Sequence, residues 1–475
     1  MSNLSDVLPT GGGQNAVDFV ASGTLSSGQT VVLNSDGTVS VVGNAGPLAT
    51  ENVVAVTSYS PSNAELNSTG DKILVIYRGA NQYGVVVAGD ISGTSITFGT
   101  PVVFYSKSFL WNSLTFDPIQ NRFLVVYDGT DNVPNPFLFG RVFSITGTSI
   151  GLGAQTSLQA FRSAYHKGVY DPTSQKHIVF FKHIDEGLAT YIKYYAGALT
   201  VSGFTVSMGA LTEVDGDSFD YFPVYDSAAG KVAIFYRTTT NSYLTAKVCT
   251  VSGTSLSFGS PTVITEIYSR DSVTYDPSTN RIVVVYYNNT SLRVVVGYIS
   301  SNTVVLGTPS TIYTGPIDYT VCAYNSDKQN IFIAYRGSSS PNDAFIIEAD
   351  VSGESVILGT SSVFNTNNNY LVFAGYSGST ENAIVFYRKT DNSTAVDILK
   401  ASSNYASFIG ITAEAIADTA TGPVNVYGGI NEAQSGLTIA ADYYVQPDGS
   451  ISTTVSDVRI GQAISATTIN IRDLT

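Results

Sequence analysis

Seven short apolar segments, each ending in an aromatic side chain, recur along the central part of the chain. They follow one another at intervals of about 50 residues, a spacing typical of repeat units that contain several strands. Their residues are mainly β-branched or aromatic, which favours strands over helices. The pattern predicts one buried strand per repeat, at Ile73–Tyr77, Phe123–Tyr127, Ile178–Phe181, Val232–Tyr236, Ile282–Tyr286, Ile331–Tyr335 and Ala383–Tyr387.

A turn motif precedes each apolar segment. An aromatic residue is followed by Asp, Asn or Ser, whose side chain accepts hydrogen bonds from the local backbone, and often by Pro, which restricts φ. We therefore predict a hairpin that leads into the buried strand. In the first unit we expect it at Tyr59-Ser60-Pro61, followed by a longer loop. The other copies are Phe116-Asp117-Pro118, Tyr170-Asp171-Pro172, Tyr225-Asp226-Ser227, Tyr275-Asp276-Pro277, Tyr324-Asn325-Ser326 and Tyr376-Ser377-Gly378.

A second turn follows each apolar segment, as in Ser252-Gly253-Thr254-Ser255. Apolar and polar residues then alternate, which is the pattern of a strand with one face in water. A glycine closes this stretch in every unit, at Gly99, Gly153, Gly209, Gly259, Gly307, Gly359 and Gly410.

Each unit thus contains four predicted strands, and the second is apolar on both faces. Such strands belong inside layered structures in which sheets pack on sheets. The prediction is an all-β fold, a seven-bladed β-propeller over residues 51–409. A β-solenoid is the alternative, although its coils are shorter and contain fewer hairpins. The seventh unit, Leu371–Gly410, contains all three motifs, so closing the ring requires no exchanged strand.

The two ends of the chain do not follow the repeat. Residues 1–50 and 410–475 contain short strand-like stretches around turns at Ser35-Asp36-Gly37 and Asp448-Gly449. The N-terminal stretch is too small to be stable alone. We predict that the two ends pair into one small β-domain, with the N-terminal segment also serving as an anchor.

Composition supports these predictions and narrows the partners. Charged residues make up 13% of the chain, and the formal net charge is −14. That charge argues against a nucleic acid or an anionic membrane as partner. The beginning of the chain lacks the pattern of a secretory signal, and no apolar run is long enough to span a bilayer. Cys249 and Cys322 lie in different repeats, so we expect buried free thiols.

Catalytic constellations are poorly supported, and we predict no catalytic residue, metal or cofactor. The three histidines, His166, His177 and His183, are expected at the surface or in loops. Carboxylates cluster at Asp215-Gly216-Asp217, where a glycosidase pair or a calcium site is an alternative to a solvated turn.

Two sets of variable positions are candidates for ligand binding. Five residues before the first-motif aromatic, successive units carry Trp111, Tyr165, Asp220, Arg270, Tyr319 and Leu371. If the first strand is innermost, these side chains lie around one mouth of the central channel, where aromatic rings can stack on sugars. Packing at the inner edge of the blade is the alternative. Directly after the buried strand the units carry Arg78, Asp128, Lys182, Arg237, Tyr287, Arg336 and Arg388. The basic members of this set are candidates to bind an acidic glycan or a carboxylate of a neighbouring subunit, and solvated charges at the strand ends are the alternative.

The chain resembles virion structural proteins of tailed bacteriophages that infect marine bacteria, cyanobacteria among them. The resemblance rests on Met1–Asp6, Val17–Leu25, the repeats around Gly253, and on Gly428–Asn431, Tyr443–Gln446 and Ala463–Thr468, which are similar to small β-modules of capsid-decoration and fibre proteins. It implies no catalytic residues.

This resemblance implies a non-enzymatic protein of the virion, assembled in the host cytoplasm and released by lysis. We expect a fibre or adhesin that contributes to attachment to a host-surface glycan. Its partners would then be other capsid or tail proteins, the glycan and further copies of the chain. The alternatives are a capsid decoration protein with a passive propeller and a propeller glycosidase or depolymerase.

Overall fold

A computed structural model describes residues 15–34, 37–42, 44–55, 60–129, 137–185, 190–216, 218–238, 242–267, 269–338, 343–359, 361–365, 370–380, 382–389, 394–403, 408–446, 449–456 and 458–472. Regular structure in these ranges is β-strand, apart from a short 3-10 turn at Ala80–Gln82. The chain divides into two units, one made of residues 1–48 and 401–475 and the other of residues 49–400.

The strands follow the predicted repeat. Those before it are β1 (Ala16–Val20), β2 (Thr30–Leu33), β3 (Val39–Val41) and β4 (Asn44–Ala55). The first three repeats contain β5 (Ser60–Leu66), β6 (Lys72–Arg78), β7 (Gly84–Ser92), β8 (Ser95–Phe98), β9 (Val102–Tyr105); β10 (Phe109–Asp117), β11 (Arg122–Gly129), β12 (Phe137–Thr146), β13 (Ser149–Leu152), β14 (Thr156–Gln159); β15 (Arg162–Asp171), β16 (Lys176–Asp185), β17 (Thr190–Ser202), β18 (Thr205–Met208) and β19 (Thr212–Asp215).

The next three repeats contain β20 (Ser218–Asp226), β21 (Lys231–Thr238), β22 (Tyr243–Ser252), β23 (Ser255–Phe258), β24 (Thr262–Ile267); β25 (Ser269–Asp276), β26 (Arg281–Tyr287), β27 (Ser291–Ser300), β28 (Thr303–Leu306), β29 (Ser310–Thr314); β30 (Ile317–Asn325), β31 (Asn330–Gly337), β32 (Ala344–Ser352), β33 (Ser355–Leu358) and β34 (Ser362–Asn365). The remaining strands are β35 (Tyr370–Ser377), β36 (Asn382–Arg388), β37 (Thr394–Ser403), β38 (Phe408–Thr412), β39 (Thr421–Asn425), β40 (Ile430–Asn431), β41 (Asp442–Val445), β42 (Ile451–Ser452), β43 (Arg459–Ala463) and β44 (Ile469–Ile471).

Each repeat forms one antiparallel sheet, which we call a blade. In the fifth, β25 pairs with β26 and β26 with β27, while β28 and β29 both pair with β27 as two halves of a broken outer strand. The break follows the closing glycine, and the Gly307 N–H donates to the Val296 carbonyl at 2.8 Å. The closing glycine therefore ends the first half of the outer strand. A broken edge strand is a poor template for pairing with another chain.

The turn before the buried strand is formed as its chemistry predicts. Asp276 is fully buried, and its Oδ1 accepts hydrogen bonds from the Ser278 N–H at 2.8 Å and the Thr279 N–H at 3.3 Å.

The first unit differs from the prediction. Its hairpin lies after Leu66, and Ser60-Pro61 begins β5 opposite Arg78 and Tyr77. Asn67 takes the place of the aspartate there, with its Oδ1 accepting from the Lys72 N–H at 3.0 Å.

The hydrophobic core lies between blades. In β6, Leu74 and Ile76 face the second blade, whereas Ile73, Val75 and Tyr77 pack against β36 and β37 of the seventh. This arrangement explains why the second strand is apolar on both faces. Full burial of such side chains contributes about 1.5–3 kcal/mol each. Among the described residues, each of the seven junctions carries its own apolar cluster.

The blades form a closed ring. The first strand of each blade packs on the first strand of the next, and β35 of the seventh packs on β5 of the first. Across this last junction the Ser377 hydroxyl donates to the Gly70 carbonyl at 2.7 Å, and Asn382 Nδ2 donates to the Gly93 carbonyl at 3.0 Å. The unit is therefore a seven-bladed β-propeller, as predicted, and the first strand of each blade is innermost.

The expectation that the seventh blade completes itself is wrong. Its outer strand is β4, which precedes the first blade in sequence and pairs with β37. Gly410 instead lies in β38, opposite Val31 of β2. Asn52 of β4 also binds the first blade, since its Oδ1 accepts from the Ile96 N–H at 2.8 Å. Closure by a distant strand links the beginning and the end of the ring.

The other unit combines both ends of the chain, as predicted. One sheet has the order β1-β39-β38-β2-β3, so N-terminal and C-terminal strands alternate within it, and a second has the order β40-β44-β43-β41-β42. An apolar cluster that includes Val32, Phe408 and Ile460 joins the two sheets. Asn431 is fully buried, and its Nδ2 donates to the Thr412 carbonyl at 3.0 Å. Residues 1–14, the first part of the predicted anchor segment, lie outside the described residues.

Candidate functional site

The innermost strands share an irregularity near their beginning, where the pairing register with the second strand shifts. We call the end of the ring that carries these irregularities the bulge rim. The extra residues at such a bulge make no regular backbone hydrogen bonds with the neighbouring strand, and their side chains can point in a new direction. Bulges are for this reason frequent beside binding sites. The shifts fall between Pro61 and Asn63, Phe109 and Asn112, Ala164 and Lys167, Phe219 and Phe222, Ser269 and Ser272, Ile317 and Tyr319, and Leu371 and Phe373.

The first set of candidate residues coincides with these bulges. Trp111 and Tyr165 lie inside them, and so do the backbones of Asp220 and Arg270, whose side chains are outside the described part of the chain. Tyr319 directly follows its bulge, while Leu371 precedes its own and is buried in the core.

The structure brings Trp111 and Tyr165 together across the junction of the second and third blades. Their ring centroids are 4.2 Å apart, with an angle of 38° between the planes. Trp111 is 37% exposed, so part of the indole faces solvent. Tyr165 has φ of 55°, which is strained for a bulky residue and is maintained only where the surroundings stabilise it. The pair is a partly exposed aromatic platform with a constrained backbone.

The histidine beside this platform contradicts the expectation of surface histidines. His166 is 2% exposed and lies in the same bulge, with its Nε2 2.9 Å from the Ser163 hydroxyl. Burial lowers its pKa to about 4, so the imidazole is neutral at pH 7. His177 is also buried, 2.7 Å through Nδ1 from the Thr115 hydroxyl. His183 is partly buried, with its ring centroid 4.6 Å from that of Phe161. Each of the three imidazoles has an aromatic neighbour, Phe181 for His166, Tyr170 for His177 and Phe161 for His183.

A second cluster lies at the bulge rim between the sixth and seventh blades. The Arg336 guanidinium lies 5.1 Å from the Tyr319 ring centroid and 5.3 Å from that of Tyr370, so it bridges the two rings. Arg388 lies over Tyr370 at 4.1 Å. Asp318 accepts a hydrogen bond from Arg336 and forms an ion pair with it. Tyr319, Arg336 and Arg388 come from the two predicted sets, whereas Tyr370 and Asp318 were missed.

The remaining positions of the second set have separate surroundings. Arg78 donates to the Gln82 side chain, and Arg237 lies opposite Phe219 at the bulge of the fourth blade. Asp128 and Lys182 are 2% and 1% exposed, and Lys182 lies 5.6 Å from the Tyr194 ring centroid. The set therefore does not form a uniform ring of solvated charges.

The acidic turn at Asp215 is tied into the fold. Its Oδ2 accepts a hydrogen bond from the Tyr236 hydroxyl at 2.5 Å and lies 3.5 Å from Lys247 Nζ. The buried Tyr221 stacks on Tyr236 at 5.2 Å and lies 3.6 Å from Tyr194 by ring centroids. Asp217, its partner in the predicted carboxylate cluster, lies outside the described residues.

Other chemistry is sparse in the part of the chain that the structure describes. It shows no group of three His, Cys, Asp or Glu side chains able to hold a metal ion. None of its helices has the length and apolar character needed to cross a membrane. Cys249 and Cys322 are buried and free, as predicted, and burial raises the pKa of the Cys249 thiol to about 12.

No protein-family model matches the chain, and a search of curated proteins finds no match. Solved structures with a similar fold include AofleA from Arthrobotrys oligospora, 13% identical with a TM-score of 0.42, covering 70% of this chain and 93% of that one. The WD40 domain of SCAP from fission yeast is 9% identical with a TM-score of 0.46, covering 75% and 99%. The Dos1 propeller is 9% identical with a TM-score of 0.43, covering 79% and 81%. Identities this low carry no information on ligand or activity.

Proposed function

We propose that this chain is a non-enzymatic carbohydrate-binding protein of a bacteriophage particle that contributes to attachment to the host surface. The observation that carries the proposal is the Trp111–Tyr165 platform, with ring centroids 4.2 Å apart. An indole 37% exposed at the rim of a rigid ring offers a flat apolar face to solvent. Such faces stack on the C–H faces of sugar rings, and an aromatic side chain loses little conformational entropy on binding.

Weak individual sites suit this role. A sugar bound with a Kd near 1 mM corresponds to only about 4 kcal/mol of binding free energy. Many copies on one particle can raise the overall affinity by orders of magnitude where their geometry lets them bind together. The net charge of −14 favours colloidal repulsion between crowded copies. The likeness of the terminal segments to phage decoration and fibre modules supports a place on the virion.

The binding part of the proposal is tested by the fluorescence of the single tryptophan. Trp111 emission should change when the protein is titrated with a ligand from a panel of oligosaccharides and host lipopolysaccharide. The same ligand should bind Trp111→Ala at least tenfold more weakly, as measured by calorimetry. Phe204→Ala is the matched control because Phe204 is 39% exposed and lies in the turn between β17 and β18 of the third blade. Equal affinities of Trp111→Ala and wild type would overturn the platform as the site, and release of product sugars would contradict a non-enzymatic role.

The virion part is tested separately by immunogold electron microscopy of purified phage with antibody against the recombinant propeller. Label on the tail supports attachment and should be followed by blocking of host adsorption. Label over the head instead supports the decoration alternative. Particles without label would refute a place on the virion.

A further inference from the structure

The junction of the sixth and seventh blades has a chemistry different from that of the Trp111 platform. We infer that Tyr319, Arg336, Tyr370 and Arg388 form a subsite for a carboxylate-bearing sugar, such as a uronic or sialic acid. The inference rests on the proposed glycan-binding function and specifies a class of ligand for it. The two sites lie on the same rim of the ring but between different pairs of blades.

The two guanidinium groups of the cluster lie close to tyrosine rings. Arg336 lies within 5.3 Å of two ring centroids, and Arg388 lies 4.1 Å from that of Tyr370. Stacking of this kind uses the flat face of a guanidinium and leaves its N–H donors in the plane, pointing past the ring. Such a group is preorganised for bidentate hydrogen bonds to a carboxylate. Asp318 already accepts a hydrogen bond from one terminal nitrogen of Arg336, so a ligand carboxylate bound by this cluster would share Arg336 with Asp318.

Charge and burial are the second argument. Two guanidinium groups and the Asp318 carboxylate share this cluster, so these three groups together carry one positive charge in a chain with a net charge of −14. Arg336 is 5% exposed, so its charge acts in surroundings where water screens it weakly. Arg388, Tyr319 and Tyr370 are partly exposed, so a ligand in solution can reach them. An anion that approaches this cluster therefore meets a local positive field on an otherwise acidic protein.

The tyrosines favour a sugar acid over a simple anion. Tyr319 and Tyr370 meet edge to face with centroids 5.1 Å apart. The Tyr319 phenol is a neutral donor at pH 7, and burial raises its pKa further above the ordinary value of 10.0. Rings beside guanidinium groups can contact the apolar face of a sugar while the cations bind its acid group. A protein carboxylate from another copy of the chain would use the cations without needing the rings.

The test uses oligogalacturonate, its methyl ester and an oligomer of sialic acid as probes, with affinities measured by calorimetry on the full chain. At least one acid should bind, and the methyl ester, which has the same sugar without the charge, should bind at least tenfold more weakly than its acid. Arg388→Gln should weaken binding of the acid about 10- to 100-fold, because one charge-assisted hydrogen-bonding group is lost. Arg388→Lys, which keeps the charge but not the fork, should give an intermediate loss.

Arg122→Gln is the matched control. Arg122 also stacks on an aromatic ring, 4.8 Å from the centroid of Phe204, but it lies at the hairpin end of its blade opposite Asp117. The Arg122→Gln variant should bind the acids with the affinity of the wild type. Affinities are compared only between variants whose cooperative thermal unfolding shows that the propeller is folded.

The outcomes separate the two proposals. Acid binding that is unchanged in Arg388→Gln, or equal binding of the acid and its ester, overturns the acidic subsite while leaving neutral binding at Trp111 intact. Self-association that Arg388→Gln abolishes, without binding of any acid probe, would assign the cluster to contact between copies and also overturn the subsite. Failure of every neutral and acidic saccharide would refute glycan binding itself.

Discussion

Five of the closing glycines, at positions 99, 153, 209, 259 and 307, allow neighbouring blades to approach at the outer edge of the propeller, and this fit can be tested at Gly259. A Cβ atom added there would lie 1.8 Å from the carbonyl oxygen of Asn302 in the next blade. That oxygen belongs to the backbone of a tight turn, so it cannot move aside by a change of rotamer. We therefore expect Gly259→Ala to force the two blades apart locally.

Two opposing effects set the change in the free energy of unfolding that Gly259→Ala should cause. Overpacking of a well-packed contact costs about 1–3 kcal/mol, and sometimes more when the backbone must shift. Replacing glycine by alanine stabilises by about 0.4–1 kcal/mol through the unfolded chain. The net expectation is a destabilisation of about 1–2 kcal/mol, which lowers Tm by about 1–3 °C in a unit that spans residues 49–400.

Differential scanning calorimetry of the wild type, Gly259→Ala and Gly216→Ala measures the effect. Gly216 is the control because an added Cβ there would meet open space. Its variant should unfold at or slightly above the wild-type temperature. If Gly259→Ala unfolds at the same temperature as Gly216→Ala, the reasoning that the closing glycine is required by contact between blades is refuted.

Three further predictions concern protonation and ring closure. Burial lowers the pKa of His166 and His177 to about 4, whereas each imidazole has a pKa of 6.5 in the unfolded chain. Between these values the unfolded chain binds more protons, so the free energy of unfolding should fall by about 3 kcal/mol per residue as the pH decreases from above 6.5 to 4. Calorimetry should show this loss of stability. A pKa above 6 for the His166 or the His177 imidazole, measured by NMR, would contradict it. Burial raises the pKa of Glu65 from 4.5 to about 8, so the folded protein retains a proton that the unfolded chain releases. The free energy of unfolding should therefore decrease as the pH rises from 4.5 to 8. Glu65→Gln should therefore raise Tm at pH 8 but not at pH 4, and the same shift at both would be inconsistent with titration. Asn52→Ala removes the acceptor of the Ile96 N–H and should destabilise the propeller by about 1–2 kcal/mol in urea, whereas an unchanged midpoint would exclude a role in closure.

The candidate site was only partly predictable. Trp111, Tyr165 and Tyr319 were found because they vary at one position of a regular repeat. The bulges that hold them, and the left-handed backbone of Tyr165, have no local signal in the sequence. Tyr370 was missed because it lies one residue before the compared position, and only the packing of the sixth blade on the seventh brings it beside Tyr319.

The repeat, the strand order within a blade and the hairpin turns could be predicted from the residue pattern alone. These features depend on interactions over a few residues: apolar alternation, an aspartate such as Asp276 capping its own turn, and glycine where a strand must end. The tertiary structure decided which strand closes the ring, which histidines are buried and which side chains meet across a junction. β4 can complete the seventh blade only because a closed ring brings β37 to the segment before the first blade. Pairings between residues hundreds of positions apart are set by the geometry of the whole ring, and no local pattern encodes them.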